Sequence, residues 1–453
     1  MKLWGGRFKK PTAPELEILG SSIDFDRRLA FEDVRINRAY SRELHAVGVL
    51  SEAELQTILA GLDRVEEKLR ENPPLDDEDI HTAVERMLGE AIENPEIAAK
   101  VPTGRSRNDL AVTEMRLYLA SAIEARLGDI DKLQASLLEQ ARANQDAILP
   151  GYTHLRRGQP VVYAQYLLAY FWALDRDRER LKAARSRALG LALGAGALAG
   201  NPFGVNRQRL ADELGFDHVL PNSIDAISSR DYILEFLSAG AILGTNLSRM
   251  AEDLILWSGS EYGFVSIDES YATGSSLMPQ KRNPDSLELI RGKSGRLVGN
   301  LMSLLTTVKG IATGYQRDLQ EDKEPAFDTL DTLAMVLPVM DGVVKTLVVN
   351  RDTMAAALSP DLLATDLAEY LVRKGVAFRN AHGIVGQVLA RAAEKNVSAA
   401  ELTLDELHEF SSEFDEAVSE VWDYRASAAR RDTEGGVSPR AIAEQIEKAE
   451  KRL

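Results

Sequence analysis

The chain has no cysteine, which excludes disulfides, thiolate catalysis and cysteine-bound zinc or iron–sulfur sites. Histidine is scarce too, with 6 among 453 residues, so a histidine set among polar loop residues stands out as a candidate acid or base. No stretch approaches the roughly 18 uninterrupted apolar residues of a membrane span. The opening Met1-Lys2-Leu3-Trp4-Gly5-Gly6-Arg7-Phe8 lacks the long apolar run of a signal peptide. Positive charge is the minority sign: 54 basic side chains face 70 acidic ones, a formal net charge of -16. That balance argues against nucleic acid and anionic membrane as partners. It leaves room for a small anionic substrate, because a local cluster of Arg, Lys and helix N-termini reverses the field inside a cleft. A cytoplasmic, ordered protein with material for two or three domains is the expectation.

Between the scattered prolines and glycines, the apolar residues fall at helical spacing. Residues 1 to about 20 read as an extended arm. Leu29, Val34, Ile36, Tyr40 and Leu44 place a helix from Asp24 to a stop at Gly48. Ser51 followed by Glu54 is a capping box that opens a second helix, to about Leu69. A third runs from Glu78 to Asn94-Pro95. Five long helices follow, at 107–147, 160–189, 228–257, 284–310 and 326–348, and Pro338 predicts a kink in the last. Gly240 and Gly244 are small enough for a second helix to come close. Several of these helices are apolar around so much of their circumference that burial between subunits is expected. The Gly- and Ala-rich 189–204 stretch reads as a connector; it lacks the setting of a phosphate loop. Beyond Ser359-Pro360 come shorter helices, including 362–374 and 398–410, and a last one from Pro439. The fold class is all-α, with a central bundle of long helices and domains at 1–106, 107–355 and 356–453.

Three polar clusters interrupt this apolar scaffold. Thr103-Gly104-Arg105-Ser106-Arg107-Asn108-Asp109 heads the first long helix. A cap from Ser106 and Asp109 explains part of it, but not two arginines and an asparagine. Arg107 and Asn108 suit a carboxylate, through a guanidinium fork and an amide donor. Gly151-Tyr152-Thr153-His154-Leu155-Arg156-Arg157-Gly158-Gln159-Pro160 reads as the turn between the first two bundle helices and places His154 beside Thr153. The third cluster, Gly274-Ser275-Ser276-Leu277-Met278-Pro279-Gln280-Lys281-Arg282-Asn283-Pro284, is a polar loop that runs into a helix. Asn283 suits the N-cap and Pro284 the first helical position there, a positively polarised place for a carboxylate.

This last loop is similar to the Gly-Ser-Ser-x-Met-Pro-x-Lys-x-Asn-Pro signature of the fumarase/aspartase superfamily, whose members eliminate a group β to a carboxylate and release fumarate. The chain further resembles the argininosuccinate lyase branch, along almost its whole length. The pieces that carry the likeness include Leu3 to Phe8, Asp79-Ile80-His81-Thr82, Thr103 to Asp109, Gly151 to Pro160, Ala199-Gly200-Asn201-Pro202, Ser248 to Leu254 and Asp318 to Glu324. Gln280 is also typical of that branch, and Arg282 stands where Lys is often found.

The resemblance implies a lyase that converts argininosuccinate reversibly to arginine and fumarate, with no metal and no organic cofactor. It implies a homotetramer round a twenty-helix core, each active site drawn from three subunits. By the same likeness Ser275 is the base, and His154 with Glu288 donates the proton, or Ser275 and His154 exchange roles. Lys281 and Asn283 would stabilise the dianionic intermediate. Ser22, Arg107, Asn108, Thr153, Tyr315, Gln320 and Lys323 would contact substrate. Two rivals follow from the same family: another fumarate-releasing enzyme such as adenylosuccinate lyase, and a crystallin-like structural protein.

Overall fold

A computed structural model of the protein describes residues 10–453; the Leu3 to Phe8 motif and the first part of the expected N-terminal arm lie outside them. The described chain is helical almost throughout, and its strands are confined to two-stranded pairings. Five long helices dominate, Arg107–Ala143, Tyr163–Ala188, Asp231–Ser258, Asp285–Val308 and Lys323–Thr346. The chain divides into two compact units, each gathered from three stretches. Among the described residues, one comprises 10–128, 177–244 and 293–335; the other comprises 129–176, 245–292 and 336–453.

In the first unit the helices Ala30–Ala46, Glu52–Arg70 and Ile80–Ile92 precede the long ones. The capping box is formed as its sequence requires: the Ser51 hydroxyl accepts from the Glu54 amide, and the Glu54 carboxylate accepts from the Ser51 amide. The arm is not extended throughout, since Pro14–Gly20 is helical with proline in its first turn. Long helices approach closely where side chains are absent. A Cβ on Gly244 would lie 2.5 Å from Leu297 Cδ1, and one on Gly240 would lie 3.0 Å from Thr329 Cγ2. Asn300 Nδ2 donates to Asp328 Oδ2 and Thr329 Oγ1 at 2.7 and 3.0 Å, and Tyr118 meets Phe327 edge-on at 5.3 Å.

In the second unit the expected turn between bundle helices is a β-hairpin instead, with strands Ile148–Thr153 and Arg156–Val162. The first long helix accordingly stops at Ala143 and the next starts at Tyr163, past Pro160. The physical reason is a two-residue turn: His154 and Leu155 both hold left-handed backbone, φ 54° and 55°, as a type I′ hairpin turn demands. The usual glycine or asparagine signal for that turn is missing, so the sequence does not announce it. The Tyr152 amide donates to the Tyr166 hydroxyl at 3.0 Å, which ties the hairpin to the following helix. Further along, the helices Ala364–Arg373 and Phe378–Lys395 enclose a core of Leu367, Leu371, Val385, Val388 and Phe414. The 398–410 stretch is broken into two short pieces at Leu402-Thr403 rather than being one helix.

Candidate active site

The signature loop belongs to the second unit. Its ends are pinned by a short antiparallel ladder, Thr273 opposite Asn283 and Gly274 opposite Arg282. Asn283 therefore serves as a strand residue, and the helix begins at Asp285, one residue later than a Pro284 start. The Pro284 carbonyl accepts from the Glu288 amide at 3.1 Å and so closes the first turn. Between the pinned ends, Ser276 to Lys281 are exposed, Leu277 at 85%. Ser275 is half-buried, and its Oγ accepts from the Met278 amide at 3.0 Å and the Leu277 amide at 3.3 Å. Two N–H donors aimed at a hydroxyl oxygen favour its ionised form. That is the chemical need of a serine asked to take a proton.

The hairpin turn, also in this unit, carries Thr153 and His154, both exposed. A cavity of about 650 Å³ lies beside it, lined by Tyr152, Leu155, Arg157, Tyr262 and others. Glu288 is exposed one turn into the loop's helix. Among the described residues, no hydrogen bond or ion pair of the chain joins His154 to Glu288.

The first unit carries a different set. Arg107 opens its helix with a fork: Nη1 donates to Asp79 Oδ2 and Nη2 to the Thr82 hydroxyl, both at 2.6 Å. Asp79 itself caps the Ile80–Ile92 helix, accepting from the Thr82 amide at 2.8 Å. Burial alone would raise the Asp79 pKa; the positive charges of His81 and Arg107 and the bonds from Thr82 outweigh it and hold the group below its ordinary value. Asn108 Nδ2 donates to the Ala197 carbonyl at 3.2 Å. Buried Asp109 accepts from the Ser106, Gly194 and Gly196 amides, each at 2.9 Å, and so straps the Gly-rich connector to the helix start. Ser22 is buried and donates to Asp26 Oδ2 at 2.6 Å. Lys323, 7% exposed, donates to Asp322 Oδ1 at 3.0 Å, while the other Asp322 oxygen is bonded by Arg230 Nε. Tyr315 packs on Val112, Ala192, Ala195 and Ile227. Gln320 lines a cavity of about 750 Å³ with Arg317, Asp318, Glu78 and Leu19.

The proposed contacts thus fall into two groups, each assembled within its own unit. What residue-by-residue reading missed is the buried layer of carboxylates behind the first group: Asp26, Asp79 and Asp322. Asp79 and Asp322 stand inside motifs quoted above, but only the fold shows that they hold Ser22, Arg107 and Lys323.

The family described as "Lyase" matches residues 6–299, and "Argininosuccinate lyase C-terminal" matches residues 361–429. Among solved structures, EDDS lyase in complex with formate superposes with a TM-score of 0.86 at 30% identity, covering 98% of this chain and 90% of that one. A class II fumarase from Schistosoma mansoni gives a TM-score of 0.75 at 16% identity, over 86% and 90% of the two chains, which speaks to the fold alone. The protein is a lyase of the fumarase/aspartase superfamily. It is 48% identical over 447 residues to the argininosuccinate lyase of Herpetosiphon aurantiacus, with 98% of each chain covered. It is also 48% identical over 450 residues to that of a Roseiflexus species, with 99% of this chain and 98% of the relative covered. Within the superfamily, the chain belongs to the argininosuccinate lyase family.

Proposed function

We propose that the protein cleaves argininosuccinate reversibly to arginine and fumarate, as a cytoplasmic enzyme of arginine biosynthesis that needs no metal or organic cofactor. The observation that carries this reading is the near-half identity to argininosuccinate lyases along the whole chain, together with an intact serine loop whose amides face the Ser275 hydroxyl. The difficult step is removal of a proton next to a carboxylate, which leaves a second negative charge on that carboxylate. Groups that bind the dianion better than the substrate lower this barrier. Lys281, Asn283 and the polarised start of the Asp285–Val308 helix are the donors assigned to it. Ser275 takes the proton, and His154 paired with Glu288 protonates the departing guanidinium nitrogen. Ser22, Arg107, Asn108, Thr153, Tyr315, Gln320 and Lys323 contact the substrate, Arg107 and Asn108 through a carboxylate and Tyr315 and Gln320 near the arginine half.

The same reading makes the protein a homotetramer whose sites are shared between subunits. Its support is the apolar surface left on the long helices: Ile242, Leu289, Val298, Met302, Leu305 and Met335 are each at least 39% exposed in the single chain. Exposed apolar area of this kind is characteristic of helices that await a partner.

One assay tests the function. Purified protein is given argininosuccinate, adenylosuccinate, aspartate, malate or EDDS in turn, and fumarate is followed by its ultraviolet absorbance. Turnover of argininosuccinate alone is the expected result. Turnover of another of these compounds instead would replace the reading, and silence on all five would favour a crystallin-like structural role.

A further inference from the structure

Behind Arg107 lies a group of ionisable side chains that the proposed reaction does not use. His81 Nδ1 lies 3.0 Å from Asp33 Oδ2 and 3.1 Å from Glu114 Oε1, and all three side chains are at most 10% exposed. Asp33 has a second partner, Asn37 Nδ2, and Asn37 in turn accepts from Arg105 Nη1 at 2.8 Å. Glu114 has no further donor among the described residues: it faces the imidazole and Asp33, and burial pushes its pKa well above the ordinary carboxylate range. Two carboxylates so placed in a dry interior require a cation or a shared proton.

The backbone that carries His81 is the entrance turn of the Ile80–Ile92 helix, and this turn also holds the substrate-facing groups. On one side of His81, the Ile80 amide donates to Asp26 Oδ1 at 3.1 Å, and the other oxygen of Asp26 accepts from Ser22. Asp79, two residues before His81, takes the Arg107 fork together with Thr82. His81 therefore faces four carboxylates: Asp33, from the Ala30–Ala46 helix; Glu114, from the Arg107–Ala143 helix; Asp26; and Asp79, on its own turn. The positive charge of Lys323 also acts on Asp26.

We propose that His81 is a positioning residue of the substrate pocket: held between Asp33 and Glu114, it places the turn and balances the charge of Asp79 and Asp26, which in their turn hold Arg107 and Ser22. The inference rests on the reading above in which Arg107 and Ser22 contact substrate. Burial disfavours a charged imidazole, but Glu114 and Asp33 outweigh it and raise the His81 pKa well above the ordinary histidine range. The positive ring opposes the rise that burial imposes on Asp26, and it helps to keep Asp79 ionised. A histidine with its pKa raised in the fold contributes fully below the unfolded value, and the contribution is lost only as pH climbs through the raised one. Through the neutral range the two acids therefore favour the charged ring.

His81→Asn and the double variant His81→Asn with Glu114→Gln, in the full-length protein, test this. The single change removes the ring that the two acids share; the double change also removes the acid group of Glu114, so that Asp33 no longer faces an acid without the ring between them. The expected result for His81→Asn is a KM for argininosuccinate raised about tenfold, with kcat changed by less than about threefold. In the double variant most of that rise should be reversed. An unchanged KM in the single variant, or a joint loss of kcat and affinity that the double variant does not recover, would overturn the proposal. Nitrogen-15 spectra of the parent protein, labelled at its 6 histidines, add a readout that needs no substrate and no variant to fold. One ring is expected to stay protonated on both nitrogens at about pH 8. A spectrum with every ring neutral there would also sink the idea, and activity lost on chelation would put a metal ion where the proton is assigned. If the parent ignores argininosuccinate, the functional reading fails while the spectra still decide the state of His81.

Discussion

Ser275 is a weak base as a hydroxyl and a strong one as an alkoxide, so its surroundings decide whether it can act. Its oxygen already receives the Met278 and Leu277 amides, while its side chain projects no further than a half-exposed loop. What this conformation lacks is a low dielectric; an exposed loop leaves those two bonds competing with water. Closure over bound substrate would remove that competition and strengthen both bonds without rebuilding them. Ser275→Ala deletes the proposed proton acceptor and leaves the loop's two-strand clasp untouched. The expected outcome is a fall in kcat of about 10²–10⁴-fold, with argininosuccinate still bound at close to the parental dissociation constant in a calorimetric titration. Turnover at the parental rate would remove Ser275 from the chemistry.

Among the secondary elements, the helices were legible and the hairpin was not. Gly240 and Gly244 stand out in an otherwise leucine-rich helix, and each marks a close approach: Leu297 and Ser294 lie against Gly244, Thr329 and Leu333 against Gly240. Helical periodicity is carried by a dozen or more residues at once, so one atypical residue does not erase it. A two-residue turn is carried by two, and His154-Leu155 are neither of the types that usually mark it. Holding both in left-handed backbone is a local cost, which agrees with the role proposed for His154 at this tip. The carboxylates behind Arg107, Ser22 and Lys323 were illegible for another reason. Some of the partners are far away in sequence, Asp79 to Arg107 by 28 positions and Arg230 to Asp322 by 92, and no spacing rule spans such loops; Asp26 and Asp322 lie close in sequence to Ser22 and Lys323, but their burial is a property of the fold. The glycine reading has a direct test. Gly244→Leu forces a side chain into the Leu297 contact, and overpacking of this kind costs about 1–3 kcal/mol. A lowered midpoint of chemical denaturation is expected, while Gly274→Ala, whose Cβ would meet nothing within 4 Å, should leave that midpoint near the parental one.

At the scale of the whole molecule, what one chain can bring together decides whether a site is complete. The first unit gathers Ser22, Arg107 and Lys323 around its buried carboxylates; the second displays His154 at a hairpin tip and Ser275 in a clasped loop. His154 and Glu288 are both exposed and make no bond to one another within the chain. If His154 is the acid proposed above, its orientation by a carboxylate is unfinished in that state. If subunits share sites as proposed, the missing partner comes from another copy, and the apolar faces of the long helices are what bring the copies together. Two dead variants should then complement each other. His154→Ala and Ser275→Ala proteins, each inactive, are mixed, dissociated in mild denaturant and reassembled, and subunit exchange is verified by mass spectrometry of differently tagged chains. Sites in which the intact histidine of one copy meets the intact serine of another would regain activity. With random mixing of equal amounts and one residue from each of two copies, about a quarter of the sites should be whole, because each intact residue is present in half of the chains. Recovery near that fraction supports shared sites. Verified exchange with no recovery would mean that each chain builds its own site, and the His154–Glu288 pair would then have to form by movement within a single copy.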